Sequence, residues 1–284
     1  MSATLAWSPT LNVPALNLQA YLDRIGFQGE PRADLVTLRQ IVIDHATRIP
    51  FENLGVLAGE TLPLDVAAIH DKIVEQRRGG YCFEQNTLLA AILELIGFQV
   101  HQLSGRVWIG TPAGDVPPLT HVFLCVVIDG VRWLIDCGVG GATPTAPIQI
   151  DKFDTAQETP HEARRIVKRN NGLITSFMHQ ADYGGWTDVY EFTGELMPAI
   201  DKELGHWYTS RNPQSKFLAN LIVSLARRDG TRIQLHNREF IHRRSGEVLE
   251  RIEVGSRSEL AELLGERFQL ELPAACRLDM IDWG

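Results

Sequence analysis

Cysteine is scarce in this chain and shows no paired spacing. Cys82, Cys125, Cys137 and Cys276 form no CxxC and no regular series, which excludes a zinc site or a disulfide framework as the organising device. Basic residues are outnumbered: 27 Lys and Arg against 35 Asp and Glu leave a formal charge of −8. That is the wrong sign for a surface whose main partner is a phosphate backbone. Basic pairs do occur at Arg164-Arg165, Arg227-Arg228 and Arg243-Arg244; such pairs serve as solvated strand or turn positions or meet a phosphorylated cofactor. Apolar runs such as Leu88 to Leu93 are far shorter than the roughly 20 residues a membrane-spanning helix needs. The opening Met1-Ser2-Ala3-Thr4-Leu5-Ala6-Trp7-Ser8-Pro9 has neither a basic n-region nor a long apolar stretch, so no secretory signal is expected. Unpaired thiols fit a reducing cytoplasm. Internal repeats, low-complexity tracts and a clear linker are also missing.

What is present is an ordinary globular composition, 44% hydrophobic and 22% charged over 284 residues, enough chain for two or three lobes around ample core. The first third reads as helices. Asn17 caps Leu18 to Leu22 before Gly26, and Asp34 opens a helix to Ile49 before Pro50. Asp65 caps Val66 to Gln76 with Gly79-Gly80 as the stop, and a fourth helix runs from the vicinity of Cys82 to Gly97. From Phe98 the period changes. Val122 to Ile128, Asp129-Gly130 and Val131 to Asp136 form a hairpin pattern, and Asn170-Asn171-Gly172 marks another between Arg164–Lys168 and Leu173–Met178. Val189 to Phe192 is a further strand. A helical piece follows Pro198 to Tyr208, and strands return around Asp229-Gly230 and Ser245-Gly246. A last helix starts near Ser256, with Glu259 at capping-box spacing. The reading is α+β: a helical front, a β-rich middle and a mixed C-terminal lobe.

One segment carries chemistry. In Arg78-Gly79-Gly80-Tyr81-Cys82-Phe83-Glu84-Gln85-Asn86 a glycine doublet precedes a cysteine that opens a helix. The first turn's N–H groups lack intrahelical partners there and the helix dipole is positive, so a thiol has its charged form favoured. Cys82 is thus a candidate nucleophile, against the alternative of a small buried hydrophobe. A nucleophilic thiol needs a base, and the base needs a group to fix it. His121 opens the first strand of the middle hairpin and Asp136 ends the second. A turn at Asp129-Gly130 puts position 121 near 138 and 123 near 136, with His121 and Asp136 roughly 5–8 Å apart at their side-chain origins. Alone, His121 reads as an edge-strand histidine and Asp136 as a turn former. Together with Cys82 they read as a triad. Cys137 turns to the face opposite Asp136, and Cys125 lies two pleats from His121; both read as packing.

These residues, with Gly138-Val139-Gly140 after Asp136, resemble the arylamine N-acetyltransferases. The likeness extends to His45 followed by Ile49-Pro50-Phe51-Glu52-Asn53-Leu54, and to Asn212-Pro213-Gln214-Ser215-Lys216-Phe217. It runs from about residue 18 to 225, and the C-terminal segment carries little signature. The resemblance implies an N-terminal helical bundle through residue 97 carrying Cys82, and a central β-barrel over 98–205 carrying His121 and Asp136. An α/β lid over 206–284 would complete the chain. It implies acetyl transfer from acetyl-CoA to arylamines and arylhydrazines by a ping-pong route through Cys82. The oxyanion would meet an N–H of Cys82, Tyr81 or a neighbour, and neither a metal nor a bound cofactor is required. Glu52 and Arg78 correspond to a buried ion pair beside the nucleophile, where a surface pair would contribute little. Phe51 and Phe217 correspond to aryl pocket walls, though each is equally a core phenylalanine. Gly138, Gly140 and Gly141 correspond to close backbone approach by CoA. Val139 stands where many relatives have an aromatic residue, which loosens the grip on flat rings. Three rivals use the same signals. A papain-like protease or transglutaminase lacks its expected local signature here, an amide synthase of the same family shares the thioester chemistry, and a non-catalytic binding protein would not need all three triad members.

Overall fold

The computed structural model describes residues 16–170 and 172–283; the N-terminal stretch read above for a signal, and Asn171 of the second hairpin turn, lie outside them. The front of the chain is helical, as its periodicity predicts. Asn17 and Asp34 cap α1 (Leu18–Ile25) and α2 (Leu35–Arg48) by accepting from the backbone N–H groups of Ala20 and Thr37. A two-residue strand β1 (Phe51–Glu52) and a single turn α3 (Leu54–Leu57) follow. Asp65 caps α4 (Val66–His70), which continues as a π-helical turn over Asp71–Glu75. This helix stops at Gln76, where the sequence places its end, and Arg77 turns left-handed there at φ 56°, ahead of the glycine doublet. Gly79 serves close approach instead: a Cβ there would lie 2.2 Å from the Pro50 carbonyl oxygen.

The next helix, α5 (Cys82–Ile96), is buried on every side from Cys82 to Leu93. Its apolar residues Leu88, Leu89, Ile92 and Leu93 meet Tyr21, Ile25, Leu38, Ile41 and Ile73 of the other helices. The same core takes in Leu124, Val126, Ile135 and Cys137 from the sheet behind it. A helix apolar all round has to sit at the centre of something larger.

That sheet has seven antiparallel strands: β2 (Gln99–Val107), β3 (His121–Ile128), β4 (Val131–Ile135), β5 (Ile148–Gln149), β6 (Arg164–Asn170), β7 (Thr175–Asp182) and β8 (Trp186–Phe192), ordered β5-β4-β3-β2-β8-β7-β6. Its edges curl toward each other. Gln157, in the connection from β5 to β6, bridges to Arg164 while its side chain holds both backbone groups of Gln149. The result is a nearly closed, barrel-like sheet. The β3–β4 hairpin turns on Asp129 and Gly130, both at positive φ, and pairs Leu124 with Ile135. Primed turns of this kind match the right-handed twist of the strands they join.

The remaining elements are α6 (Ala199–Arg211), the single turn α7 (Lys216–Ala219), β9 (Ile222–Ala226), β10 (Arg232–His236), β11 (Glu239–Arg244), β12 (Glu247–Glu253) and α8 (Arg257–Leu263), capped by Ser256. Residue 205, the expected boundary of the last segment, falls inside α6. The second sheet, β1-β9-β10-β11-β12, is not purely C-terminal, since Phe51 pairs with Ser224 and Glu52 with Val223. Its own core joins Val223, Ile233, Leu235 and Phe240 to Leu260, Leu264 and Phe268. Among the described residues no helix is long and apolar enough to cross a membrane.

Candidate active site

Cys82 is the first residue of α5, 5% exposed, with its Sγ 3.9 Å from the Thr120 carbonyl oxygen. The helix start is fixed from behind. Glu84 accepts from the Tyr81 backbone N–H at 3.2 Å, and Gln85 donates to the Pro50 and Gly80 carbonyls at 3.0 and 2.7 Å. Gln85 is itself held by His45 at 3.1 Å, whose other ring nitrogen meets the Tyr21 hydroxyl at 2.8 Å. The Tyr81 N–H is occupied, and the Cys82 N–H at the helix start is available for an oxyanion.

His121 and Asp136 meet where the hairpin ends come together. His121 Nε2 lies 2.7 Å from Asp136 Oδ2, and both side chains are buried. The other carboxylate oxygen accepts from Asn86 Nδ2 at 2.9 Å and from the Gly138 N–H at 2.8 Å. Burial alone would push the His121 ring down. Asp136 outweighs it by charge and hydrogen bond, Cys82 adds to the effect, and the ring is pushed up to about 10. With Nε2 on Asp136, Nδ1 is the nitrogen available to the thiol. A thiol, a protonated imidazole and a carboxylate in this order can pass a proton and stabilise the charge that results.

Asn86 is the functional residue that motif reading quoted without giving it a role. One helical turn after Cys82, it donates to the Val122 carbonyl at 2.7 Å and to Asp136, and accepts from the Cys137 N–H at 3.0 Å. It therefore locks the nucleophile's helix to the hairpin that carries the base. The signal was its spacing, four residues from Cys82 on the same helix face.

The expected direct pairing of Glu52 with Arg78 does not form. Arg78 forks onto Glu60 at 3.1 and 2.9 Å, while Glu52 is met by Lys72 at 3.6 Å. Lys72 comes from the π-helical turn and also grips Glu84 at 2.7 Å. The left-handed Arg77 redirects the chain, so that the guanidinium passes beside Gly55 toward Glu60. Glu52 still acts on Arg78 through space: burial opposes the charge, but Glu52 and Glu60 hold it above its ordinary value.

Cys82 and His121 open onto a cavity of about 840 Å³. Phe51, Val139 and Phe217 line it, as do Gly138, Gly140 and Gly141. The Phe51 and Phe217 rings stand 6.1 Å apart, and Phe217 lies 6.0 Å from Tyr81. Gly138 also has a structural duty, since a Cβ there would lie 2.5 Å from the Cys82 Cα. Arg243 lines the far wall, donating to the Gly141 carbonyl at 3.0 Å and to Glu162 at 3.3 Å. Ser224 lines it too, and among the described residues its buried hydroxyl has no hydrogen-bond partner. Cys125 and Cys137 pack in the cores, away from the cavity.

A family model described as N-acetyltransferase matches residues 34–277. The chain is 39% identical over 262 residues to an arylamine N-acetyltransferase of Mycolicibacterium smegmatis, covering 91% of this chain and 93% of the relative. Among solved structures, that of an M. smegmatis arylamine N-acetyltransferase superposes with a TM-score of 0.86 at 38% identity, over 94% of this chain and 99% of that one. A Mycobacterium marinum arylamine N-acetyltransferase in complex with CoA gives 0.84 at 33% identity, over 93% and 96%.

Proposed function

Because the chain belongs to the arylamine N-acetyltransferase family, we propose that it moves the acetyl group of acetyl-CoA to aromatic amines and hydrazines through a thioester on Cys82. The observation that carries this reading is the buried alignment of the Cys82 helix start with a His121–Asp136 pair 2.7 Å apart, opening on one cavity. In the first half-reaction the Cys82 sulfur, its proton held on His121, attacks the thioester carbonyl. The tetrahedral oxyanion is met by the Cys82 N–H. CoA's sulfur leaves with the proton from His121, so acetyl-Cys82 faces a neutral imidazole. In the second half-reaction the amine attacks, His121 takes the amine proton, and the Cys82 sulfur departs as thiolate beside the restored imidazolium. Asp136 fixes the ring and balances its charge throughout.

In this reading the helical front through residue 97 supplies the nucleophile, residues 98–205 supply His121 and Asp136, and residues 206–284 cover the cavity as a lid. The acceptor ring sits between Phe51 and Phe217, against Val139. The pantetheine arm passes Gly138, Gly140 and Gly141, and Arg243 lies on the same wall as a cation for a phosphate. The free thiols suit a cytoplasmic enzyme.

Intact-mass measurement tests the reading. Protein mixed with acetyl-CoA and no amine should gain one acetyl group on Cys82 and lose it when an arylamine is added. An unmodified protein whose Cys82 resists alkylation would overturn it.

A further inference from the structure

A chain of three polar side chains crosses the helical front to the start of α5. Tyr21 on α1, His45 on α2 and Gln85 on α5 are each fully buried, beside a core that holds Ile41, Leu88 and Ile92. None of the three lines the cavity. Replacing hydrogen-bonded partners by apolar groups of the same shape is nearly neutral for stability, so what the polar chain adds is direction.

The hydrogen bonds give that direction. Gln85 Nε2 lies 3.0 Å from the Pro50 carbonyl oxygen and 2.7 Å from that of Gly80, so its two protons go there. Its Oε1 must then accept, and His45 Nε2, 3.1 Å away, carries the ring proton. That leaves His45 Nδ1 to accept from the Tyr21 hydroxyl at 2.8 Å. Burial raises the phenol and pushes the ring down to about 4, so both groups are neutral near neutral pH. A ring with its proton on Nδ1 would turn the Gln85 amide over and set an oxygen against two carbonyls. Tyr21 therefore fixes the tautomer of His45, and His45 fixes which end of Gln85 faces the residues before Cys82.

The peptides that Gln85 grips lead to the nucleophile. Its side chain holds the Gly80 carbonyl, while its backbone N–H donates to the Tyr81 carbonyl at 2.9 Å. The Tyr81 N–H is taken by Glu84 at 3.2 Å. Two successive peptide planes are thus fixed, and the second of them carries the Cys82 N–H. We propose that Tyr21, His45 and Gln85 are positioning residues for that N–H, aiming it at the oxyanion without touching substrate. The proposal rests on the acetyl-transfer reading above. Negative charge develops on the same carbonyl oxygen in both half-reactions, so the chain acts equally on both. Displacement of iodide from iodoacetamide by the Cys82 sulfur needs the thiolate and forms no oxyanion. Alkylation therefore separates the aim of the N–H from the state of the thiol.

The test follows three single-turnover rates in the full-length protein, with thermal melts alongside: acetylation of Cys82 by acetyl-CoA, transfer from acetyl-Cys82 to aniline, and alkylation by iodoacetamide. In Gln85→Met both acetyl steps should slow together by about tenfold or more, while alkylation stays within about twofold. The acetyl-CoA concentration that half-saturates the first step should not change. Tyr21→Phe, which removes one oxygen, should show the same pattern at smaller size. His45→Gln, which keeps a donor toward Gln85, should retain more activity than His45→Leu. Alkylation that falls in step with acetylation overturns the proposal, because the chain then holds the thiol and not the N–H. So do unchanged acetyl rates in the Met and Phe variants, or a slowing confined to one half-reaction. If Gln85→Met does not fold, Tyr21→Phe decides by the same ratio. Failure of the unaltered protein to form acetyl-Cys82 while it still alkylates is distinct: it removes the acetyl-transfer reading, and this inference with it.

Discussion

Removing a single side chain exposes how the site is held. Asn86 satisfies three buried partners, the Val122 carbonyl, Asp136 and the Cys137 N–H. Asn86→Ala removes one hydrogen bond from each, and a buried polar group left without a partner costs about 1–3 kcal/mol. The expected outcome is a lowered Tm together with a fall in kcat at nearly constant KM, read by thermal melts and steady-state kinetics. Alkylation of Cys82 by iodoacetamide should slow as well, since Asp136 loses one of the bonds that aim it. His121 makes a second prediction. Its folded-state value of about 10 lies above the ordinary 6.5, so its contribution to stability is fully present below 6.5 and is lost as pH rises through 10. The Tm of the native protein should therefore fall across that window more steeply than that of His121→Asn; parallel melting profiles would contradict it. His45 works on the acid side. Burial holds it near 4, so stability falls as pH drops from 6.5 toward 4, where the unfolded ring gains a proton that the folded one refuses. At this scale the sequence was legible where a residue's place in its element brings it to the site, as for Cys82 at the start of α5 and for His121 and Asp136 at the two ends of one hairpin. It was not legible where the role is a partner choice. Glu52 and Arg78 sit in the expected motifs, yet the left-handed Arg77 sends Arg78 to Glu60, a redirection that no side-chain inventory contains.

Between elements, the decisive contact is the approach of the β3–β4 hairpin's end to the start of α5. Gly138 makes that approach possible, with its imagined Cβ 2.5 Å from a backbone atom of Cys82 and 2.8 Å from Asn86 Nδ2. A methyl group there cannot be absorbed by rotating a flexible side chain. Gly138→Ala should cost about 1–3 kcal/mol of overpacking strain and separate thiol from imidazole, with kcat/KM down by about 10²-fold for a misplacement of roughly 1 Å. Denaturant melts and first-half-reaction rates check the two parts independently; a variant with native rates would remove Gly138 from this role. Periodicity and cap residues made the longer elements readable, because Asn17, Asp34, Asp65 and Ser256 each close a helix as their chemistry dictates. The two-residue β1 and the four-residue α7 escaped notice. An element of that length has no period to detect, and both exist because of what they pair with, Val223 and Ser224 for β1 and the Asn53 side chain for α7.

Across the whole molecule, one buried carboxylate fastens the barrel to the C-terminal sheet. Glu162 meets Arg164 of β6 at 3.2 Å, Arg232 of β10 at 2.7 Å and Arg243 of β11 at 3.3 Å. Burial would raise it, but the arginines hold it at about 2. Glu162→Gln strands a group of cations in the interior, and breaking such a buried set costs about 3–5 kcal/mol. Calorimetry should show the second sheet melting ahead of the barrel, in place of one transition; a single unshifted transition would contradict this. The basic pair at Arg243 looked like an isolated surface feature in the sequence because its partner Glu162 lies 81 residues away, and the pair at Arg164 did so because nothing in the sequence shows that Glu162, 2 residues earlier, is buried. Finally, the two sheets divide the labour of the cavity. In the proposed reaction the helical front and the barrel furnish every protein atom that exchanges a proton or a bond. From α7, β9 and β10, the C-terminal part furnishes Phe217, Lys216, Ser224 and Gln234 of the walls. Substitutions there can change which amines are accepted without touching the reaction itself, so acceptor preference can diversify by mutation while the chemistry is inherited intact.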